Sequence, residues 1–160
     1  MRILGLDIGD KRTGVAVSDP GGILATPLTV LDSTDEDALI NEVLKIVTQC
    51  KADCIVIGLP RTLNGELGKQ ANKVTVFADK FSWQAKQNGL NELDVQLWDE
   101  RLSTKAAERL KIEASVKGNK LHSRAKRGTK RHKYSAKSEI DSIAAAFILQ
   151  GFLDSRHHEQ

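Results

Sequence analysis

The sequence predicts an α/β protein built on a mixed sheet. Three observations lead there. The opening stretch MRILGLDIGDKRTGVAVSD reads as two strands joined by a tight turn. Two further short runs, DCIVIGL and VQLWDE, read as strands, the first with the near-continuous hydrophobicity of a strand buried on both faces. Between and after them the apolar residues recur at helical spacing. The order is three strands, a helix, a strand, a helix, a strand, and then helices on either side of a basic stretch.

In the first strand, about residues 2–8, Ile3, Leu4, Leu6 and Ile8 are apolar. The second covers 13–18, with Val15 and Val17 on one face. Asp19-Pro20-Gly21-Gly22 is a turn signal, with Asp19 placed to hold backbone amides. A third strand over 23–30 contains Pro27, which suits an edge or a bulge. These three form an antiparallel meander. Ser33 or Thr34 is expected to cap the first helix, with Asp35, Glu36 and Asp37 in its first turn, where the dipole favours acids. Its core stripe is Leu39, Ile40, Val43, Leu44 and Val47, and it ends near Cys50. A strand over 53–59 and a glycine-bearing loop follow. The helix over 69–87 turns Val74, Phe77, Ala78, Phe81 and Ala85 inward and stops at Asn88-Gly89. A fifth strand over 95–100 leads to a helix that Ser103 or Thr104 can cap, running to about 115. The last helix spans about 136–153, with Ile140, Ile143, Ala144, Phe147, Ile148 and Gly151 along its apolar side. Ala144, Ala145 and Ala146 are small enough to let it lie close to the sheet.

At 160 residues the chain is expected to be one domain, and 40% hydrophobic with 28% charged residues suits a globular protein. No run approaches the ~18 apolar residues of a membrane span. The chain opens directly on a strand, without the layout of a signal peptide, so the expected location is the cytoplasm. Cys50 and Cys54 are too few and too poorly spaced for a disulfide framework or a zinc site and read as half-buried thiols. His157 and His158 fall in a polar tail expected to be unstructured. The net charge of +3 conceals a segregation. From Val116 to Lys137 there are nine Lys or Arg and no acid, which leaves 15 cations against all 21 acids elsewhere, formally −6. A cationic block on an acidic body suits a polyanionic partner. Like charges packed this densely repel, so residues 116–136 are expected to be mobile without that partner.

Acids interrupt apolar patterns at three places. Asp7 sits inside the first strand, flanked by Gly5 and Gly9, which leave room for close approach to the backbone. A carboxylate there costs several kcal/mol unless it is paired, hydrogen-bonded or metal-bound. Asp141 lies one turn into the last helix, and Asp99 and Glu100 end the fifth strand. Alternation places Asp99 with Leu97 and Glu100 with Trp98, so period alone does not choose between them. Strands running parallel open their carboxyl ends at one sheet edge, where such acids can meet. Converging carboxylates repel, and a hard divalent cation relieves that; without His or Cys the ion is Mg²⁺ or Mn²⁺. Two such ions about 4 Å apart can activate water and stabilise the leaving oxygen of a phosphodiester.

Four stretches then carry a resemblance: LGLDIGDKRTGVAVSD at 4–19, IVIGLPRTLNGELG at 55–68, WDERLST at 98–104 and EIDSIAAAFILQGFL at 139–153. With the pattern between them they cover nearly the whole chain. It resembles the YqgF family, the Holliday-junction-resolvase-like proteins also described as pre-16S ribosomal RNA nucleases. The resemblance implies a ribonuclease-H-like fold, a five-stranded mixed sheet of order 3-2-1-4-5 with helices on both faces. It implies Asp7, Glu100 and Asp141 as the catalytic, metal-binding acids. Lys11, Arg12 and Arg101 are then placed to meet backbone phosphate, and Arg61, Asn64 and Gly65 lie on the substrate side. Arg124, Lys126, Arg127, Lys130 and Arg131 of the basic block would hold the polyanion. The stretch 116–136 looks longer than the family's basic linker and includes His122 and His132. Where related resolvases carry a second acid one turn before the last, this chain has Ser138, with Glu139 adjacent. Three acids then bind one metal well and a second weakly.

The expected activity is Mg²⁺-dependent hydrolysis, with Mn²⁺ as a substitute, of structured RNA such as a ribosomal RNA precursor. In-line attack of water would leave 5′-phosphate and 3′-hydroxyl ends. Branched DNA is the alternative substrate, and a non-catalytic RNA-binding or transcription-linked protein is the alternative class. The protein would be a monomer or weak homodimer, with no separate cofactor. Enzymes of the actin and sugar-kinase type open with a similar DxG turn but need two such domains around a nucleotide.

Overall fold

The computed structural model describes residues 1–60, 68–99 and 136–158. Five strands, β1 (Ile3–Ile8), β2 (Arg12–Ser18), β3 (Ala25–Asp32), β4 (Cys54–Leu59) and β5 (Asp94–Asp99), form one sheet of order β3-β2-β1-β4-β5. The meander β1-β2-β3 is antiparallel, while β4 and β5 join β1 in parallel. This is the mixed sheet expected. The helices α1 (Glu36–Cys50) and α2 (Lys69–Gln87) cover one face. The helix α3 (Ala136–His158) covers the other.

Strand alternation divides the residues between two cores. Leu4, Leu6, Val15, Ile55 and Ile57 pack against α1 and α2, where the predicted stripes of both helices are buried. Ile3, Ala16, Cys54 and Val56 point the other way, onto Ala145, Leu149, Phe152 and Leu153 of α3. Trp98 of β5 meets Phe152 edge-on, with ring centroids 5.6 Å apart.

Local expectations are corrected at three places, the cap of α1, the start of β3 and the burial of Cys54, while the turn role of Asp19 and the edge position of Pro27 are as expected. The cap of α1 is Asp35, whose side chain accepts from the Ala38 amide at 3.1 Å. Ser33 and Thr34 are engaged elsewhere: Ser33 Oγ lies 2.6 Å from Thr13 Oγ1, and Thr34 bonds the Asp32 carboxylate. β3 begins at Ala25, two residues late, because Asp19 Oδ1 accepts from the amides of Ile23 and Leu24 (2.7 and 2.9 Å) and keeps both in the turn. These bonds hold the Asp19 carboxyl below its usual range, as its predicted turn role requires. Pro27 lies in an edge strand, beside a register shift in the β2–β3 ladder. Cys54 is fully buried, with its thiol pushed up to about 12, chiefly by burial and then by Asp94; Cys50 is half-buried.

The largest correction concerns α3. It continues to His158, and His157 Nε2 lies 3.2 Å from the Gly22 carbonyl, so these histidines are helical. Arg156, His157 and His158 fill the last turn, where cations complement the dipole. The buried stripe is Ala145, Ala146, Ile148, Leu149, Phe152 and Leu153, whereas Ile140 is 56% exposed. The helix is therefore rotated away from the side read from the sequence. Residues 143–149 are apolar almost throughout, so periodicity gave no unique direction. Among the described residues, no helix is long and apolar enough to cross a membrane. The basic block 116–136 and the helix expected over 103–115 lie outside the described residues.

Candidate active site

β1 is the middle strand, and Asp7 lies near its carboxyl end. Asp7 shares parity with Ile3 and Gly5, so it faces α3 rather than the larger core. Directly opposite in the ladder is Gly14. A Cβ built on Gly14 would lie 1.9 Å from the backbone oxygen of Asp141 and 2.5 Å from its carbonyl carbon. Only a residue without a side chain lets α3 sit this low. A Cβ on Gly5 would similarly meet Leu149 Cβ at 2.7 Å and the Ala145 oxygen at 3.0 Å. Two glycines on neighbouring strands thus seat the helix. In doing so they bring Asp141 beside Asp7.

The pair is electrostatically strained. Burial pushes the Asp7 carboxyl above its ordinary value, and the Asp141 charge pushes it further. Arg12 Nε stands 3.0 Å from Asp141 Oδ2, with the two side chains 43% and 31% exposed. This is an ion pair without hydrogen-bond alignment. Oδ2 itself is buried and accepts no hydrogen bond among the described residues.

The neighbouring turn is closed by a hydrogen bond of its own and tied to α2. The Gly9 amide donates to the Arg12 carbonyl at 2.9 Å, and a Cβ on Gly9 would lie 2.5 Å from that oxygen. From the opposite face α2 holds the same turn: Gln70 Nε2 donates to the Ile8 carbonyl and Lys73 pairs with Asp10, each at 3.0 Å. A cleft of ≈ 470 Å³ lies there between α1 and α2, on the far side of the sheet from Asp7.

The structure thus brings Asp7, Asp141 and Arg12 together. Lys11 is exposed, and its carbonyl accepts from the Ser33 amide at 2.9 Å. Glu139 is exposed. Glu100, Arg61, Asn64, Gly65, Arg101, Arg124, Lys126, Arg127, Lys130 and Arg131 lie outside the described residues. For the choice left open at the end of β5, register gives half an answer. Asp99 pairs with Leu59, a member of the α1/α2 core, so Asp99 belongs to the face away from Asp7. Trp98 lies on the α3 face. Two functional features escaped the sequence reading: Gly14 as the seat of Asp141, and the contact of Arg12 with that acid. A glycine inside the β-branched strand RTGVAVS was the available signal for a close backbone approach.

Among the described residues, no group of three or more His, Cys, Asp or Glu could hold a metal ion. The carboxylate pair nonetheless fits part of such a site. Its donors are all oxygens, as hard divalent cations require. One of those oxygens is buried without a hydrogen bond, and the neighbouring carboxyl is destabilised as an anion.

A central strand carrying an acid, the sheet order β3-β2-β1-β4-β5 and a helix that delivers a second acid to the first define a ribonuclease-H-like protein. The sequence profile of the RuvX family, described as Holliday junction resolvase, matches residues 1–155. The chain belongs to this family, the YqgF family of the sequence comparison above. It is 42% identical over 155 residues to a Clostridium botulinum protein provisionally named a pre-16S rRNA nuclease, covering 97% of this chain and 98% of that one. A relative from Desulforamulus reducens with the same provisional name is 41% identical over 157 residues, with the same coverage. In fold the chain is similar to Thermus thermophilus RuvC in complex with a Holliday junction, with a TM-score of 0.57 at 16% identity over 98% of this chain and 96% of that one.

Proposed function

We propose that the chain is a divalent-metal-dependent nuclease that hydrolyses phosphodiester bonds in structured RNA, with the precursor of 16S ribosomal RNA as its substrate. The observation that carries this is the meeting of Asp7 and Asp141 over Gly14, which leaves a buried carboxylate oxygen without a hydrogen bond. The nuclease naming of full-length relatives supports the substrate class. Asp7 and Asp141, joined by Glu100, are the residues that would hold Mg²⁺. When bound, such an ion lowers the pKa of water and neutralises charge on the leaving oxygen. The protein supplies the rest. Gly5 and Gly14 set the depth of α3 and hence the position of Asp141 against Asp7. The β1–β2 turn, closed by the Gly9–Arg12 hydrogen bond and tied to α2 through Gln70, presents Lys11 and Arg12 to a phosphate backbone. Arg61, Asn64, Arg101 and the cations of 116–136 extend the surface along the polyanion and neutralise it without reading sequence.

The test is cleavage of end-labelled 16S precursor RNA beside a four-way DNA junction, by wild type and Asp7→Asn, with Mg²⁺, Mn²⁺ or EDTA. RNA cutting that needs metal and falls at least about 10³-fold in the variant, roughly 4 kcal/mol of barrier, is expected. Symmetric cutting of the junction alone would instead make the protein a resolvase acting as a two-fold dimer. Salt-sensitive binding with no cleavage of either would leave a binding protein.

A further inference from the structure

Among the described residues, Asp7 has no ion-pair partner, and the cation at Asp141 is Arg12. Its guanidinium stands 3.0 Å from the one carboxylate oxygen of the site that is buried and accepts no hydrogen bond. Backbone and side chain differ in freedom. The Arg12 carbonyl closes the turn with the Gly9 amide, and its Cα is paired with Asp32 in the ladder. The side chain beyond is 43% exposed. A guanidinium carries one charge and offsets one of two carboxylates. A divalent cation offsets both, and it needs the oxygen that Arg12 covers.

We infer that Arg12 is the resting counter-ion of the site, displaced from Asp141 when a divalent cation enters and released toward the phosphate backbone. The inference rests on the metal-site reading above. It makes Arg12 a positioning residue that links two events. While the site is empty of metal, Arg12 holds Asp141 in place and is withheld from substrate. Once it is displaced, its planar fork is free for a phosphate oxygen pair. Arg12 therefore lowers metal affinity and raises substrate affinity. A half-exposed ion pair contributes little to stability, so variants at this position are expected to fold.

The experiment is a titration with Mn²⁺ alone, free ion read by electron paramagnetic resonance, on wild type, Arg12→Gln, Arg12→Lys, Lys11→Gln, Asp7→Asn, Asp141→Asn and the double variant Arg12→Gln/Asp141→Asn. Arg12→Gln is expected to bind Mn²⁺ about fivefold tighter, the scale of one exposed ion pair. Lys11→Gln, which removes the same charge one residue away, should change affinity by less than about twofold. Arg12→Lys should restore the wild-type value, and Arg12→Gln should have no effect once Asp141 is Asn. In cleavage the same variant should need less metal for half-maximal rate while its KM for RNA rises. Those opposite movements would not follow from a merely structural role. If Asp7→Asn weakens Mn²⁺ binding but Arg12→Gln leaves it unchanged or weaker, Arg12 is not a counter-ion and the metal site stands. If neither Asp7→Asn nor Asp141→Asn alters Mn²⁺ binding, the metal-site reading fails and this inference with it.

Discussion

The two faces of the sheet do different work. On one, α1 and α2 bury Val43, Val47, Val74, Phe77 and Phe81 against Leu4, Leu6, Ile55 and Ile57 in a continuous apolar core. Phe77 and Phe81 stack there with centroids 6.1 Å apart. On the other face α3 meets a smaller core that is apolar only at one end, around Ile3, Val56, Leu149 and Phe152. Toward the carboxyl end of β1 the same layer becomes polar, and Asp7, Gly14 and Asp141 take the place of aliphatic side chains. The first face supplies the larger apolar core. The second, on the same strands, brings two carboxylates together beside a smaller one. Strain at the site is thus set against packing on the far side of the same strands.

Mutations on the two faces can break this comparison. Phe81→Ala should be the most damaging to stability, about 3–5 kcal/mol by chemical denaturation, because the side chain is wholly buried in the larger core. Phe152→Ala should fall at the low end of that range, since its ring lies at the rim, 5.7 Å from the exposed Arg156 guanidinium. Equal losses at the two positions would mean the faces contribute alike. Gly14→Ala comes next. Its new Cβ would collide with the Asp141 backbone, which cannot swing aside as a side chain would. A loss of roughly 1–3 kcal/mol is expected, with cleavage falling further than stability because Asp141 is displaced. Retention of full activity in a folded Gly14→Ala protein would separate the helix seat from the site.

The smallest effect has the opposite sign. The folded state raises the Asp7 carboxyl above 3.8, so it binds more protons than the unfolded chain between the two values. Metal-free wild type should therefore lose stability as pH rises from about 3.8 through the folded value of Asp7. Asp7→Asn lacks this penalty. At neutral pH it should be more stable than wild type, with a higher melting temperature, and the gain should vanish in acid. Scanning calorimetry at several pH values in EDTA measures it, and an Asn variant less stable than wild type at neutral pH would show that Asp7 is not strained. Mg²⁺ should stabilise wild type and not the variant.

Much of this architecture could be read in advance. α1 and α2 have one clearly apolar side, so their buried residues followed from period alone. Asp7 was legible because a carboxylate inside ILGLDI contradicts its surroundings. The cap at Asp35 was not, since four consecutive residues from Asp32 to Asp35 can each accept an amide, and Ser33 is taken up by distant Thr13 and Thr34 by neighbouring Asp32. Arg12 carried no signal of its attachment to Asp141, because that contact joins the first turn to the last helix.

By itself the sequence determined the kinds of elements, their order, and the acids that oppose their apolar context, because each of these is written in local spacing. It could not orient α3. A helix apolar on most sides has several faces of similar transfer energy. The choice among them was made by steric fit, where Gly5 and Gly14 admit the backbone of Ala145 and Asp141 and every other seat on these strands would be filled by a Cβ. That fit between chain segments far apart in sequence exists only once the sheet has formed, and it is what turns Asp141 toward Asp7.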